Sequence, residues 1–116
     1  MNDQHQLDKL LEHYTLAKLS VPKIRSLDNG YFDYPKEVND FMMLLTEEPW
    51  VKYDYQPAEV SATLQSIDSA NFDQIRAVLT RIQRHERFYS GAWLEYLESG
   101  QLEPLFERLQ ALTEVQ

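Results

Sequence analysis

The chain has 116 residues, 43% of them hydrophobic and 26% charged, with no cysteine and a formal net charge of −8. A chain of that length and composition holds one core rather than two and is not disordered as a whole. The missing cysteines exclude disulfides, thiolate metal sites and a cysteine nucleophile, and the negative charge disfavours general nucleic-acid binding by repelling phosphate, with the arginines of 76–87 as the local exception.

The predicted elements are helical almost throughout. A first helix covers 3–20, where Leu7, Leu10, Leu11, Tyr14 and Ala17 share one face at three- and four-residue spacing, and Pro22 ends it. Within it, Asp3 and Asp8 stand where a secretion leader needs a basic and then an apolar segment, so a cytoplasmic protein is expected. A connection follows, with Asp28-Asn29-Gly30 as a strong turn signal. Pro35 suits the start of a second helix over 36–48, which turns Val38, Phe41, Met42 and Leu45 inward. Its run from Phe41 to Leu45 is the longest uncharged apolar stretch and is far too short to span a bilayer. Pro49 stops this helix. Residues 50–56 alternate weakly, but no comparable strand exists to pair with them, so they read as a loop. Pro57 opens a third helix over 58–67, and Asn71 with Gln74 has the capping-box spacing that starts a long fourth helix to about Tyr89. Ser90-Gly91 breaks it. A short fifth helix over 92–99 stops at Gly100, and Pro104 helps to start a sixth over 105–114. The expected architecture is a single all-α domain over 1–116, a bundle of five or six helices without a substantial sheet.

The fourth helix carries the most informative pattern. On a helical wheel centred on Ile82, the residues Ile75, Val78, Leu79 and Tyr89 fall within about 60° and form the buried stripe. His85 and Glu86 flank that stripe on its two sides; Arg76, Arg84 and Arg87 lie opposite, and Arg81 lies at an edge. A carboxylate on a core-facing stripe needs a partner or a proton. One reading makes Glu86 a general base with His85 as its acid partner. The other makes Glu86 an anchor tying the fourth helix to the fifth and sixth, through Arg81, Arg108 or a backbone group near Gly91. Adjacent helical residues diverge by about 100°, which makes it hard for His85 and Glu86 to address one substrate atom. The anchor reading is preferred, with Arg81, Arg84, Arg87 and Arg108 as the cations for structural ion pairs and Gly91 and Gly100 as turn positions.

Residues 79–112 resemble a bacterial family known only as a domain of unknown function, family 6508. Its members carry Leu-Thr, then Arg-any-Glu-Arg-Phe, two glycines, and Arg-Leu in the last helix. The matching positions are Leu79, Thr80, Arg84, Glu86, Arg87, Phe88, Gly91, Gly100, Arg108 and Leu109. Residues 31–45 are similar to the family's aromatic segment and following helix, while 50–60 depart from it, with tyrosines where a tryptophan-rich loop is usual. The resemblance implies a shared all-α fold and carries no established activity with it.

Other constellations are weak. His5, Asp8, Glu12 and His13 share the first helix, but a strong helical metal site needs two close ligands four residues apart and a third from elsewhere, so neither a metal nor a cofactor is expected. With only Gly30, Gly91 and Gly100 there is no phosphate-binding glycine loop, and Ser90-Gly91 lacks the rest of a nucleophile elbow.

The aromatics weigh more. Of fourteen, seven lie in 31–55, namely Tyr31, Phe32, Tyr34, Phe41, Trp50, Tyr53 and Tyr55, interspersed with Asp33, Asp40, Glu47, Glu48 and Asp54. Residues 28–68 carry nine acidic and two basic side chains, whereas 69–87 carry two acidic and four basic ones. Rings with polar tips among carboxylates suit a partner surface, although a loop that caps the bundle with its rings has the same composition. The leading expectation is a non-enzymatic interaction or inhibitor-type module that offers this acidic-aromatic surface to a basic protein. A homodimer is compatible with it, and neither nucleic acid nor membrane is an expected partner. The alternative is a small-molecule-binding domain or enzyme with a polar pocket around Arg84, Glu86, Arg87 and Tyr89.

Overall fold

The computed structural model of the chain describes residues 3–114. Within them the helices are α1 (Asp3–Leu19), α2 (Lys36–Leu44), α3 (Pro57–Gln65), α4 (Phe72–His85), α5 (Ala92–Ser99) and α6 (Glu103–Glu114), with 3-10 turns at Val21–Lys23 and Ile67–Ser69. Two short strands, β1 (Arg25–Ser26) and β2 (Phe32–Asp33), pair antiparallel with Arg25 opposite Asp33 and Ser26 opposite Phe32.

The apolar stripes read from the sequence meet in one core. Leu7, Leu10, Tyr14 and Ala17 of α1 are buried, and this helix packs against α2 and α6. Where the three meet, the rings of Tyr14, Phe41 and Phe106 touch at centroid distances of 5.5, 4.9 and 6.3 Å, tilted or edge-on as ring quadrupoles prefer. Ile75, Val78, Leu79 and Ile82 of α4 enter the same cluster, each buried side chain contributing roughly 1.5–3 kcal/mol. The all-α bundle expected from periodicity is the observed architecture. Among the described residues, no helix is long and apolar enough to cross a membrane.

Several boundaries differ from those expected, each for a local reason. The second helix stops at Leu44, because residues 45–50 close into turns in which the Thr46 hydroxyl donates to the Met43 carbonyl and the Trp50 amide to Glu47. The fourth begins on the expected capping box, Asn71 and Gln74 exchanging two 2.8 Å bonds, but ends at His85. Beyond His85 the helical register is lost, so Tyr89 is exposed although the wheel placed it on the buried stripe. The turn at Asp28-Asn29-Gly30 closes a hairpin rather than a plain connection, with the Tyr31 amide donating to the Asn29 side chain.

The loop 50–56 is stitched to α4. Trp50 lies edge-on to Phe72 at 6.0 Å, the Lys52 amide donates to the buried Thr80 hydroxyl at 2.8 Å, and the Arg76 guanidinium donates to the Val51 carbonyl.

Candidate functional site

The corner between α4 and α5 gathers most of the singled-out residues. Its hub is Glu86, whose carboxylate accepts three hydrogen bonds. Oε1 takes the Tyr34 hydroxyl at 2.9 Å and the Trp93 amide at 3.0 Å, and Oε2 takes the Gly91 amide at 2.8 Å. Gly91 is the residue before α5 and has no side chain to cap it, so Glu86 satisfies the first free amides of that helix from five residues upstream. Gly91 has φ 93, a conformation that disfavours any β-carbon, and one placed there would meet the Phe32 ring at 2.8 Å. The end of β2 therefore packs directly on the corner. One residue on, Tyr34 lies against Trp93 at 5.1 Å, and burial, helped by the adjacent Glu86 carboxylate, pushes the Tyr34 hydroxyl well above the usual tyrosine range and keeps it a donor.

Of the partners expected for Glu86, the backbone at Gly91 is the one observed. Arg108 donates its Nε to the Ala70 carbonyl at 2.8 Å instead. Among the described residues, Arg81, Arg84 and Arg87 make no ion pair, because the neighbouring carboxylate faces α5 and Tyr34 while these side chains leave the end of α4 elsewhere. His85 is engaged apart from Glu86, its Nδ1 lying 2.8 Å from the hydroxyl of Tyr96, whose pKa burial raises.

Beside the corner, Tyr55, Pro57, Arg81, Arg84, His85 and Phe88 line an open cleft of about 300 Å³. Arg84 lies over the Tyr53 ring at 5.7 Å, and Phe88 is 83% exposed. The polar pocket expected around Arg84, Glu86, Arg87 and Tyr89 is thus displaced: Arg84 lines the cleft, but Glu86 does not.

The acidic-aromatic segment divides. Tyr31 and Tyr53 are 63% and 58% exposed, and Asp33 and Glu47 are exposed. Trp50 is 4% exposed and Phe41 is fully buried, so these rings belong to the core and not to a contact surface. Phe32, Tyr34 and Tyr55 are half-buried, the last against the core cluster. Four acids of the segment are paired with cations of this chain: Glu37 with Lys23 at 3.5 Å, Asp40 with Lys36 at 2.6 Å, Glu48 with Arg76 at 3.2 Å and Asp54 with Lys52 at 3.1 Å. Among the described residues, no group of three His, Cys, Asp or Glu side chains is placed to hold a metal ion.

Sequence reasoning passed over Tyr96 and the tie between Lys52 and Thr80, and it read Pro57 only as a helix start. Tyr96 lies eleven residues from His85 across a helix break, where periodicity gives no relation. Gly100 sits at φ 76, just past α5, where the left-handed conformation ends a helix without strain.

No curated protein and no solved structure shows a significant match. The family model does: from Leu7 to residue 115, nearly the whole chain, this protein belongs to the family of unknown function DUF6508.

Proposed function

We infer that the protein is a non-enzymatic interaction module whose main contact element is the turn Arg87-Phe88-Tyr89. The observation that carries this reading is Phe88, a large apolar ring left 83% exposed on a turn braced by its neighbours. Glu86 and Gly91 tie the two ends of that turn together, so the backbone that carries the ring has little freedom to lose on binding. Glu86 is then a positioning group, with all three of its hydrogen bonds spent on the fold, and the acid–base pairing with His85 loses its support. A second reading rests on the exposed Tyr31 and Asp33 of the hairpin and on the exposed Glu47, groups suited to a basic partner protein. Trp50 and Phe41 take no part in it.

The test is affinity capture from the native cell with three baits: wild type, Phe88→Ala, and Asp33→Asn/Glu47→Gln. All three should melt alike, because the altered side chains are exposed. The leading reading expects Phe88→Ala to recover at least about tenfold less of a partner that wild type holds, as loss of an aromatic anchor does. Selective loss with the charge variant, relieved by no change at Phe88, transfers the function to the hairpin surface. Equal recovery by all three baits sinks both.

A further inference from the structure

The cleft beside the contact turn has a chemistry of its own. In a chain with nineteen acidic and eleven basic side chains, cations are the scarce group, and most are taken by ion pairs or backbone oxygens. Yet among the described residues Arg81 and Arg84, which line this cleft, have neither an ion pair nor a hydrogen bond to an acceptor. The nearest acid in sequence, Glu86, is held away by Tyr34, Gly91 and Trp93. Arg84 lies over the Tyr53 ring with its Cζ 5.7 Å from the centroid, a cation–π contact that uses none of its N–H donors. His85, on the same wall, can accept the Tyr96 hydroxyl at Nδ1, which puts its own proton on Nε2 as a further donor. Tyr55, Pro57 and Phe88 supply apolar walls to a space of about 300 Å³.

We propose that this cleft is a binding site for an oxyanion, carboxylate or phosphate, carried on an aromatic or apolar body. The two guanidiniums take the oxygens in charge-assisted, fork-shaped hydrogen bonds, and the ring of the ligand lies against Phe88 and Tyr55. Such a group comes either from an acidic, aromatic peptide segment or from a free aromatic phosphate, and the cleft offers the same donors to both. The site does not depend on the interaction reading above: it binds small probes whether or not Phe88 anchors a protein.

Isotope-labelled full-length protein titrated with phenyl phosphate, inorganic phosphate and the blocked peptide acetyl-Asp-Phe-Asp-amide tests this by amide and arginine Nε–H shifts. The expected result is saturable binding of phenyl phosphate or the peptide, with shifts at 53–56 and 81–88, at least about fivefold tighter than inorganic phosphate. The tighter of the two ring-bearing probes names the source. Arg81→Gln/Arg84→Gln should weaken that binding by about tenfold or more while the rest of the spectrum is kept, and added salt should weaken it in wild type. Phe88→Ala, at an exposed site, should erase the preference over inorganic phosphate. No saturation by about 10 mM of any probe, or equal affinity in the arginine variant with its spectrum intact, overturns the site. If the arginine variant proves unfolded, an unchanged preference in Phe88→Ala overturns it on its own.

Discussion

Glu86 accepts three hydrogen bonds through two oxygens, and an amide cannot replace it. In Glu86→Gln the amide carbonyl keeps either the Tyr34 and Trp93 donors or the Gly91 donor, and in both orientations the NH₂ group faces a backbone N–H, of Gly91 or of Trp93, that cannot accept from it. The expected loss is about 2 kcal/mol for Gln and about 3 kcal/mol or more for Ala, which strands all three donors. Denaturant unfolding of the two variants measures this, and a Gln variant as stable as wild type would contradict the role. This residue was half legible. The stripe Ile75, Val78, Leu79, Ile82 placed Glu86 where a carboxylate must find partners, and Gly91 was named among them. Tyr34 is fifty-two positions away, and no rule of local spacing reaches that far. The arginines show the opposite failure: charge arithmetic suggested ion pairs, but which way a side chain leaves a helix end depends on where the helix stops.

At the scale of elements, the corner between α4 and α5 is set by one backbone conformation. Gly91→Ala must hold φ 93 with a β-carbon and push the Phe32 ring away from a 2.8 Å approach. The two effects together should cost about 2–4 kcal/mol. Gly100→Ala, at φ 76, meets only the carboxylate end of the Glu103 side chain at 3.2 Å and should lose about 1 kcal/mol. Thermal melts of the pair distinguish them, and equal losses would mean that Phe32 yields easily and that the hairpin does not brace the corner. Elements with strong punctuation were readable: α5 runs from Ala92 to Ser99 as expected between its two glycines, and the capping box opens α4. The hairpin was not, because two-residue strands are too short to carry an alternating pattern, and its turn was the only trace it left in the sequence.

Across the whole molecule, the first and last helices are joined by charge. Lys18 near the end of α1 meets Glu103 at the start of α6 at 2.7 Å, and this Lys18 hydrogen bond, more than any other contact, holds the Glu103 carboxyl below its usual range. A carboxylate whose folded pKa is depressed adds stability in full above its unfolded value and loses it as the pH falls through the folded one. Protonating Glu103 therefore weakens the tie between the first and last helices in the window just below ordinary carboxylate titration. Against this works the net charge of −8, since neutralising carboxylates over the same window relieves self-repulsion. Both Lys18 and Glu103 are 41% exposed, so solvent screens the pair and it contributes at most about 1 kcal/mol. Glu103→Gln should melt slightly below wild type at pH 7, and the gap should close as the pH falls below the ordinary carboxylate range and Glu103 takes up its proton. The same small gap should shrink in high salt at pH 7, because screening reaches exposed ions first. Melting curves of the two proteins across pH read this directly. A gap that stays constant as the pH falls from 7 until the carboxylates are protonated would mean that residue 103 acts through its contacts with Gly100 and Tyr14 rather than through its charge.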